Sequence, residues 1–499
     1  MIPSKKRHTA ILVVVLLILM GTISIHRAEK LPATLKDYQS QKITWKTCYD
    51  NFQCAALQVP IDYANLKVGR FKLQLLRHQA GDYNSKIGSL VINPGGPGAS
   101  GVNYAYNAEY IFSADLLEKY DIVGFDPRGV GISAPIKCLN NQETDASYGA
   151  DSKPDSKKEL DLLLQELRDY AAKCESRTKH ITHFSTAETA RDMDLLRAAL
   201  GEKKLNYLGV SYGTYLGTLY AKFFPKNVGR MVLDGAVSPS VNSNDQNLTQ
   251  AIGFDTALNA FIANCYTKID CALQQPIENA RSQFISLFQQ AVKTPLTSQE
   301  KRPVTESLVV LGTASALYDS VTGWPQLRTA LQQSQSGDGT IFLTLADQYS
   351  QRNSDGTYSN NETDAAFVID CLDWRGPQTT AQVQKSAKLF TLKAPVFGPY
   401  LAYSGLSCQF FPKQLLTSTV IRTIVTSPIV IVGTTRDPAT PYTWAKELHA
   451  TIQNSRLISL NADGHTGYGR GSACVDEAVN RYFLAGILPT VDLSCKSPG

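Results

Sequence analysis

The stretch Gly209-Val210-Ser211-Tyr212-Gly213 constrains this chain more than any other. It reads G-x-S-x-G, a pattern common by chance, and its surroundings give it meaning. Before it runs Lys204-Leu205-Asn206-Tyr207-Leu208, short and mostly apolar, which predicts a buried strand. After it runs Thr214 to Phe224, which predicts a helix stopped at Pro225. A serine on so sharp a strand-to-helix turn is lifted clear of the sheet. The flanking glycines relieve crowding, and the next backbone N–H faces the position where an oxyanion would form.

A serine nucleophile needs a base and an acid that orients it. Of seven histidines, His8 and His26 flank an N-terminal apolar run, and His78, His180 and His183 precede the serine. His449 sits in a helix-like segment. His465 follows the strand-like run Ser455 to Leu460 and lies in the turn Asp463-Gly464-His465-Thr466-Gly467, so it is the candidate base. Asp437 is the candidate acid, because it follows the buried-strand pattern Ser427 to Gly433, and open α/β sheets place their sites at the C-terminal ends of strands. Asp234, after Met231-Val232-Leu233, is the alternative acid, and Asp463 is too close in sequence to His465 to orient its ring. The chain order Ser211, Asp437, His465 matches that of α/β hydrolases. A second oxyanion donor is expected on Asn93-Pro94-Gly95-Gly96-Pro97-Gly98, after the strand-like Ser89 to Ile92. Gly96 is the first choice and Gly95 the reserve, with Tyr212 supplying the other N–H.

Other chemistries find no support. Gly129 to Ala134 fits a dinucleotide pattern, but Pro135 follows at once, so no helix starts where a pyrophosphate would need one. No phosphate-cradling P-loop, H-E-x-x-H or C-x-x-C occurs, so neither cofactor nor metal is expected. The net charge of +5 is mild, and no basic stripe interleaved with aromatics argues for nucleic acid.

The motifs in order, Asn93 to Gly98, Asp126-Pro127-Arg128-Gly129-Val130-Gly131-Ile132-Ser133, Gly209 to Gly213, Asp437-Pro438-Ala439-Thr440-Pro441 and Gly464-His465, together with the tail from Cys474 to Pro489, resemble the secreted tripeptidyl aminopeptidases. These are relatives of prolyl aminopeptidase within the α/β hydrolases, and the resemblance spans roughly residues 40 to 495. It implies an α/β-hydrolase fold and a serine exopeptidase that removes short peptides from free N-termini. One departure is Asn93, where prolyl aminopeptidases have His. With sequence proximity, the resemblance also implies disulfides Cys48–Cys54, Cys138–Cys174, Cys265–Cys271, Cys371–Cys408 and Cys474–Cys495.

Export fits this picture. Lys5, Lys6 and Arg7 precede an apolar run from Ala10 to Met20, so residues 1–30 read as a signal peptide or an N-terminal anchor. No A-x-A site follows, though Thr22-Ile23-Ser24 is a small-residue cleavage candidate. Ten cysteines behind such a segment suit an oxidising compartment, secreted or in the cell envelope.

The expected organisation is a leading hairpin and a hydrolase core over 40–244, a mainly helical cap over 245–410 and a C-terminal core part over 411–499. Within the cap range, Phe254 to Cys265, Ile277 to Val292, Val309 to Tyr318 and Thr340 to Tyr349 carry helical patterning. An exopeptidase also needs a carboxylate for the substrate's α-ammonium. Asp373, Asp370 and Glu362 are candidates, Asp373 first among them. Two other readings stay open: a carboxylesterase or lipase with the same triad, and a catalytically silent binding protein on this scaffold.

Overall fold

A computed structural model describes residues 32–239, 242–373, 379–412, 421 and 423–497. Residues 1–30, read from the sequence as a signal peptide or an N-terminal anchor, lie outside them. Ten strands form one sheet: β1 (Lys46–Cys48), β2 (Phe52–Pro60), β3 (Arg70–His78), β4 (Gly88–Asn93), β5 (Tyr120–Phe125), β6 (Leu205–Val210), β7 (Val228–Asp234), β8 (Ile424–Arg436), β9 (Ile452–Asp463) and β10 (Leu493–Lys496). Their order is β1-β2-β3-β5-β4-β6-β7-β8-β9-β10. The first three strands and the β3–β5 pair are antiparallel, and every pair from β5 to β10 is parallel.

The inner strands are buried on both faces, which is why their sequences read as unbroken apolar runs. Successive residues point to opposite sides. Val91, Val123, Tyr207, Met231, Leu233, Ile429 and Ile431 enter one core cluster. Leu90, Ile92, Ile122, Leu208, Val232, Val430 and Val432 enter the other.

Between β7 and β8 the chain leaves the sheet and turns helical. Helices Ser243–Cys265, Ile277–Lys293, Glu306–Leu317, Gly323–Ser334 and Thr340–Ser350 share a separate aromatic core that includes Phe261, Phe284, Phe288, Trp324 and Phe342. The Glu362–Asp373 helix behaves differently. Its Ala365, Val368, Ile369 and Leu372 pack into the sheet's own cluster. Asn361 fastens its start, donating to the carbonyls of Gly129 (2.8 Å) and Ile136 (2.9 Å) and accepting from the Gly131 N–H (2.9 Å). The range expected to form a cap therefore contains helices with their own core and one helix that belongs to the sheet's core.

All five disulfides implied by the resemblance are joined, with Cα separations of 4.0 to 5.8 Å. Cys138–Cys174, at 4.0 Å, falls slightly below the usual span. Five disulfides fit an extracytoplasmic, oxidising location.

Candidate active site

Five neighbouring parallel strands, β4, β6, β7, β8 and β9, end on the same edge of the sheet, and their ends and the loops after them carry the candidate residues. Ser211 follows β6 directly, with φ 56° and ψ −126°. That conformation is uncommon for a residue with a side chain and marks a strained turn. The Ser211 N–H donates to the Asp234 carbonyl at 2.8 Å, and the following helix starts at once at Tyr212, two residues earlier than its sequence suggests. Close packing dictates the glycines on either side. A Cβ on Gly209 would lie 2.4 Å from the Gly213 carbonyl oxygen, and one on Gly213 would lie 2.7 Å from that of Asn93.

The oxyanion loop follows β4. Gly95 is wedged against the elbow, where a Cβ would come within 3.0 Å of the Ser211 Cβ. Its N–H donates to Asn93 Oδ1 at 3.1 Å. The Gly96 N–H has no protein acceptor among the described residues, whereas that of Gly95 is taken up in anchoring the loop. Asn93, the departure noted in the sequence, is thus the side chain that pins this loop. The adjoining Asp126-Pro127-Arg128 motif is a bracket. Asp126 accepts from Ser100 Oγ (2.5 Å) and the Val102 N–H (3.2 Å), holding the helix that leaves the loop. Arg128, fully buried, forms a two-pronged pair with Asp192 at 2.7 and 2.6 Å.

Asp437 follows β8 and His465 follows β9. His465 Nδ1 lies 2.9 Å from both carboxylate oxygens of Asp437. That carboxylate also accepts N–H bonds from Ala439 (2.9 Å), Thr440 (2.8 Å) and Thr466 (3.0 Å), and a hydroxyl bond from Thr440 (2.9 Å). This many donors hold the buried carboxylate in place. No hydrogen bond joins Ser211 to the ring among the described residues, but both side chains line one cavity. Bonds of this kind commonly tighten only when substrate is bound.

Asp234, the alternative acid, does not touch the ring. Its carboxylate accepts from the Gly467 N–H (2.9 Å) and the Tyr468 N–H (2.9 Å), in the turn just after His465. Burial pushes it up to about 6, against the pull of those two amides and of His465.

Two cavities meet at Ser211, sharing Gly96, Pro97, Tyr318, Tyr349 and Ala366. One, of about 360 Å³, contains Tyr212, Gln246, Asp370, Trp444 and the Cys371–Cys408 bridge. The other, of about 660 Å³, contains His465, Glu362, Tyr104, Tyr468 and Arg470. Glu362, Ala366 and Asp370, spaced four apart, form one face of their helix, so both carboxylates face the cavities. Burial raises Glu362 to about 7, opposed by a hydrogen bond from Asn360.

The first-choice amine partner, Asp373, is not there. It lies beneath Tyr212, accepting from the Thr186 N–H at 2.9 Å, from the Thr186 hydroxyl and from the Tyr212 hydroxyl at 3.3 Å. Burial raises it to about 7. It caps the Thr186–Ala199 helix and lines neither cavity. Tyr318 and Tyr349, which line both cavities, gave no sequence signal. Tyr318 also accepts the His465 N–H on its carbonyl at 2.9 Å and sets its ring edge-on to the imidazole, centroids 5.2 Å apart.

Comparison with known proteins gives the family. The family model described as TAP-like protein matches residues 394–495. Serine protease Hip1 of Mycobacterium tuberculosis is 32% identical over 97% of this chain and 96% of its own length. Tripeptidyl aminopeptidase of Streptomyces lividans is 32% identical, covering 91% of this chain and 86% of its own. Carboxylesterase B of Mycobacterium tuberculosis is 36% identical, covering 89% and 86%. The chain therefore belongs to the tripeptidyl aminopeptidase-like family of α/β-hydrolase serine hydrolases.

Proposed function

We propose that this chain is an exported serine exopeptidase that releases short peptides, tripeptides among them, from free N-termini through an acyl-enzyme on Ser211. The observation that carries this reading is the cavity pair meeting at Ser211, with carboxylates from one helix face in each. His465 lines only the larger cavity, so the leaving amine departs there. The acyl part then occupies the smaller one, its α-ammonium held by Asp370 there and attracted also by Glu362, which stands on the same helix face in the adjoining cavity.

In this reading Ser211 Oγ attacks the scissile carbonyl carbon while His465 Nε2 takes its proton. Asp437 holds the ring through Nδ1 and stabilises the imidazolium. The Gly96 and Tyr212 N–H groups receive the oxyanion. The tetrahedral adduct collapses, the C–N bond breaks, and the imidazolium gives its proton to the leaving amine. A water, deprotonated by His465, then attacks the acyl carbon, and Ser211 leaves with the proton back on Oγ.

The test is a panel of peptide amides with free or acetylated N-termini, beside a short-chain ester. Acetylation leaves the enzyme's carboxylate without its partner, a loss of about 2–5 kcal/mol for truncated charge pairs. kcat/KM is expected to fall at least about tenfold, since roughly 1.4 kcal/mol is one decade. Asp370→Asn should lower the rate on free peptides and leave the acetylated ones unchanged. A second reading, a carboxylesterase, is favoured by the 36% identity to Carboxylesterase B. Equal rates on free and acetylated peptides, with faster ester hydrolysis, would establish it instead.

A further inference from the structure

The two halves of the proposed machinery sit on loops far apart in sequence, and one residue touches both. Asp234 ends β7, between β6, which leads to Ser211, and β8, which leads to Asp437. Its carbonyl oxygen accepts the Ser211 N–H at 2.8 Å. Its carboxylate accepts the Gly467 N–H at 2.9 and 3.1 Å and the Tyr468 N–H at 2.9 Å. The next residue, Gly235, forms the floor beneath the imidazole. With φ +69°, its Cβ position lies 3.4 Å from His465 Cε1 and 3.0 Å from both Thr440 Oγ1 and Thr466 Cγ2.

We propose that Asp234 is a positioning residue for the reaction: its carbonyl fixes the nucleophile's turn, its carboxylate fixes the turn that carries the base, and so it sets the distance between them.

The geometry leaves few other roles for a carboxylate buried to 1% exposure. A buried acid without compensating donors would be strongly disfavoured, and the donors it has all come from the histidine's loop. The restraint matters because the Thr466–Gly467–Tyr468 turn contains no regular element of its own. Thr434 Oγ1 donates to the Thr466 carbonyl at 2.7 Å, and the Thr466 N–H is held by Asp437 at 3.0 Å. Asp234 therefore holds the turn from the β7 side, and the β8 loop holds it from the other.

The inference rests on Ser211 as nucleophile and His465 as base, and the experiment separates the two questions. Asp234→Asn replaces one acceptor oxygen with a donor that faces an N–H, so the turn must shift. A misplacement of about 1 Å lowers rates by about a hundredfold. Asp234→Asn should therefore lower kcat by roughly ten- to hundredfold, with KM within about twofold of wild type. Labelling of Ser211 by a fluorophosphonate, which requires an activated hydroxyl but no peptide binding, should slow in parallel.

A wild-type kcat, or a loss expressed in KM with kcat intact, would overturn the positioning role. So would a lowered melting temperature with an unchanged labelling rate. Absence of labelling in the wild-type protein would overturn the nucleophile reading itself. Should Asp234→Asn not fold, Asp234→Glu keeps the charge, moves the carboxylate by one methylene, and is read on the same two scales.

Discussion

The sheet edge and the Glu362–Asp373 helix face each other across the cavities and are built on opposite terms. At the sheet edge each candidate residue is fixed by backbone: Ser211 by a strained elbow, His465 by a turn held from both sides, Asp437 by three amides. On the helix, position along the axis and around it decides everything. Asp370 faces a cavity, while Asp373, less than one turn on, is sealed beneath Tyr212. The first arrangement suits chemistry that tolerates little displacement. The second lets the identity of the bound group change by moving a carboxylate along a helix, without disturbing the reaction. Tyr318, at the end of the Glu306–Leu317 helix, closes on the sheet side, with its carbonyl on the His465 N–H and its ring against the imidazole.

If that contrast is right, substitutions at the sheet edge should act on turnover and those on the helix on binding. The largest effect is expected at the nucleophile. Ser211→Ala should lower kcat by at least about four orders of magnitude on peptides and esters alike, since the other groups cannot replace the covalent step. Residual turnover above a tenth of wild type would break the comparison at its root.

The next effect separates the two strand-end acids. Asp437→Asn leaves His465 Nδ1 facing an amide and should lower kcat by about 10⁴-fold, as loss of the orienting acid does in triads of this kind. That is well beyond the loss expected for Asp234→Asn. A larger loss at Asp234 than at Asp437 would reverse their assignments. Steady-state kcat for the two variants, measured side by side on one peptide amide, settles the order.

The sequence carried the first region better than the second, for a physical reason. Ser211 was legible because an elbow demands small neighbours within two residues, a local constraint. His465 was legible because it lies just beyond a strand pattern. Asp437 and Asp234 both stand at the ends of apolar strands, and nothing local distinguishes them. They part only in three dimensions, where Asp234 is taken up by the amides of Gly467 and Tyr468. Asp373 misled for a related reason: its spacing from Ala366 puts it on the same helical stripe as Glu362 and Asp370, but Thr186 and Tyr212 close over it. Which end of a stripe meets a cavity is decided by what packs there. Tyr318 and Tyr349 left no signal, because an aromatic at a helix end is more often core than cavity wall.

The smallest effect concerns Glu362, and it tests whether the helix side acts through charge. Its Oε1 lies 3.2 Å from where a Gly96 Cβ would be, so the carboxylate stands beside the oxyanion loop. Burial raises Glu362 to about 7, so it is neutral below that pH and ionised above it. A substrate α-ammonium loses its proton near 7.7–8.0. Glu362 can attract the ammonium only between those limits, and KM for free peptides should fall severalfold as pH rises through about 7, then rise again. Glu362→Gln should flatten the first limb and leave kcat nearly unchanged.

Stability supplies an independent check with a definite sign. A carboxyl whose pKa is raised by folding binds its proton more tightly in the folded chain, so its contribution is full below its unfolded value near 4.5 and is lost as pH rises through about 7. Glu362→Gln removes that loss, and its melting temperature relative to wild type should be higher at pH 8 than at pH 5. A variant whose KM limb persists, or whose relative melting temperature is the same at both pH values, would show that Glu362 is a passive wall, leaving Asp370 alone to read the amine.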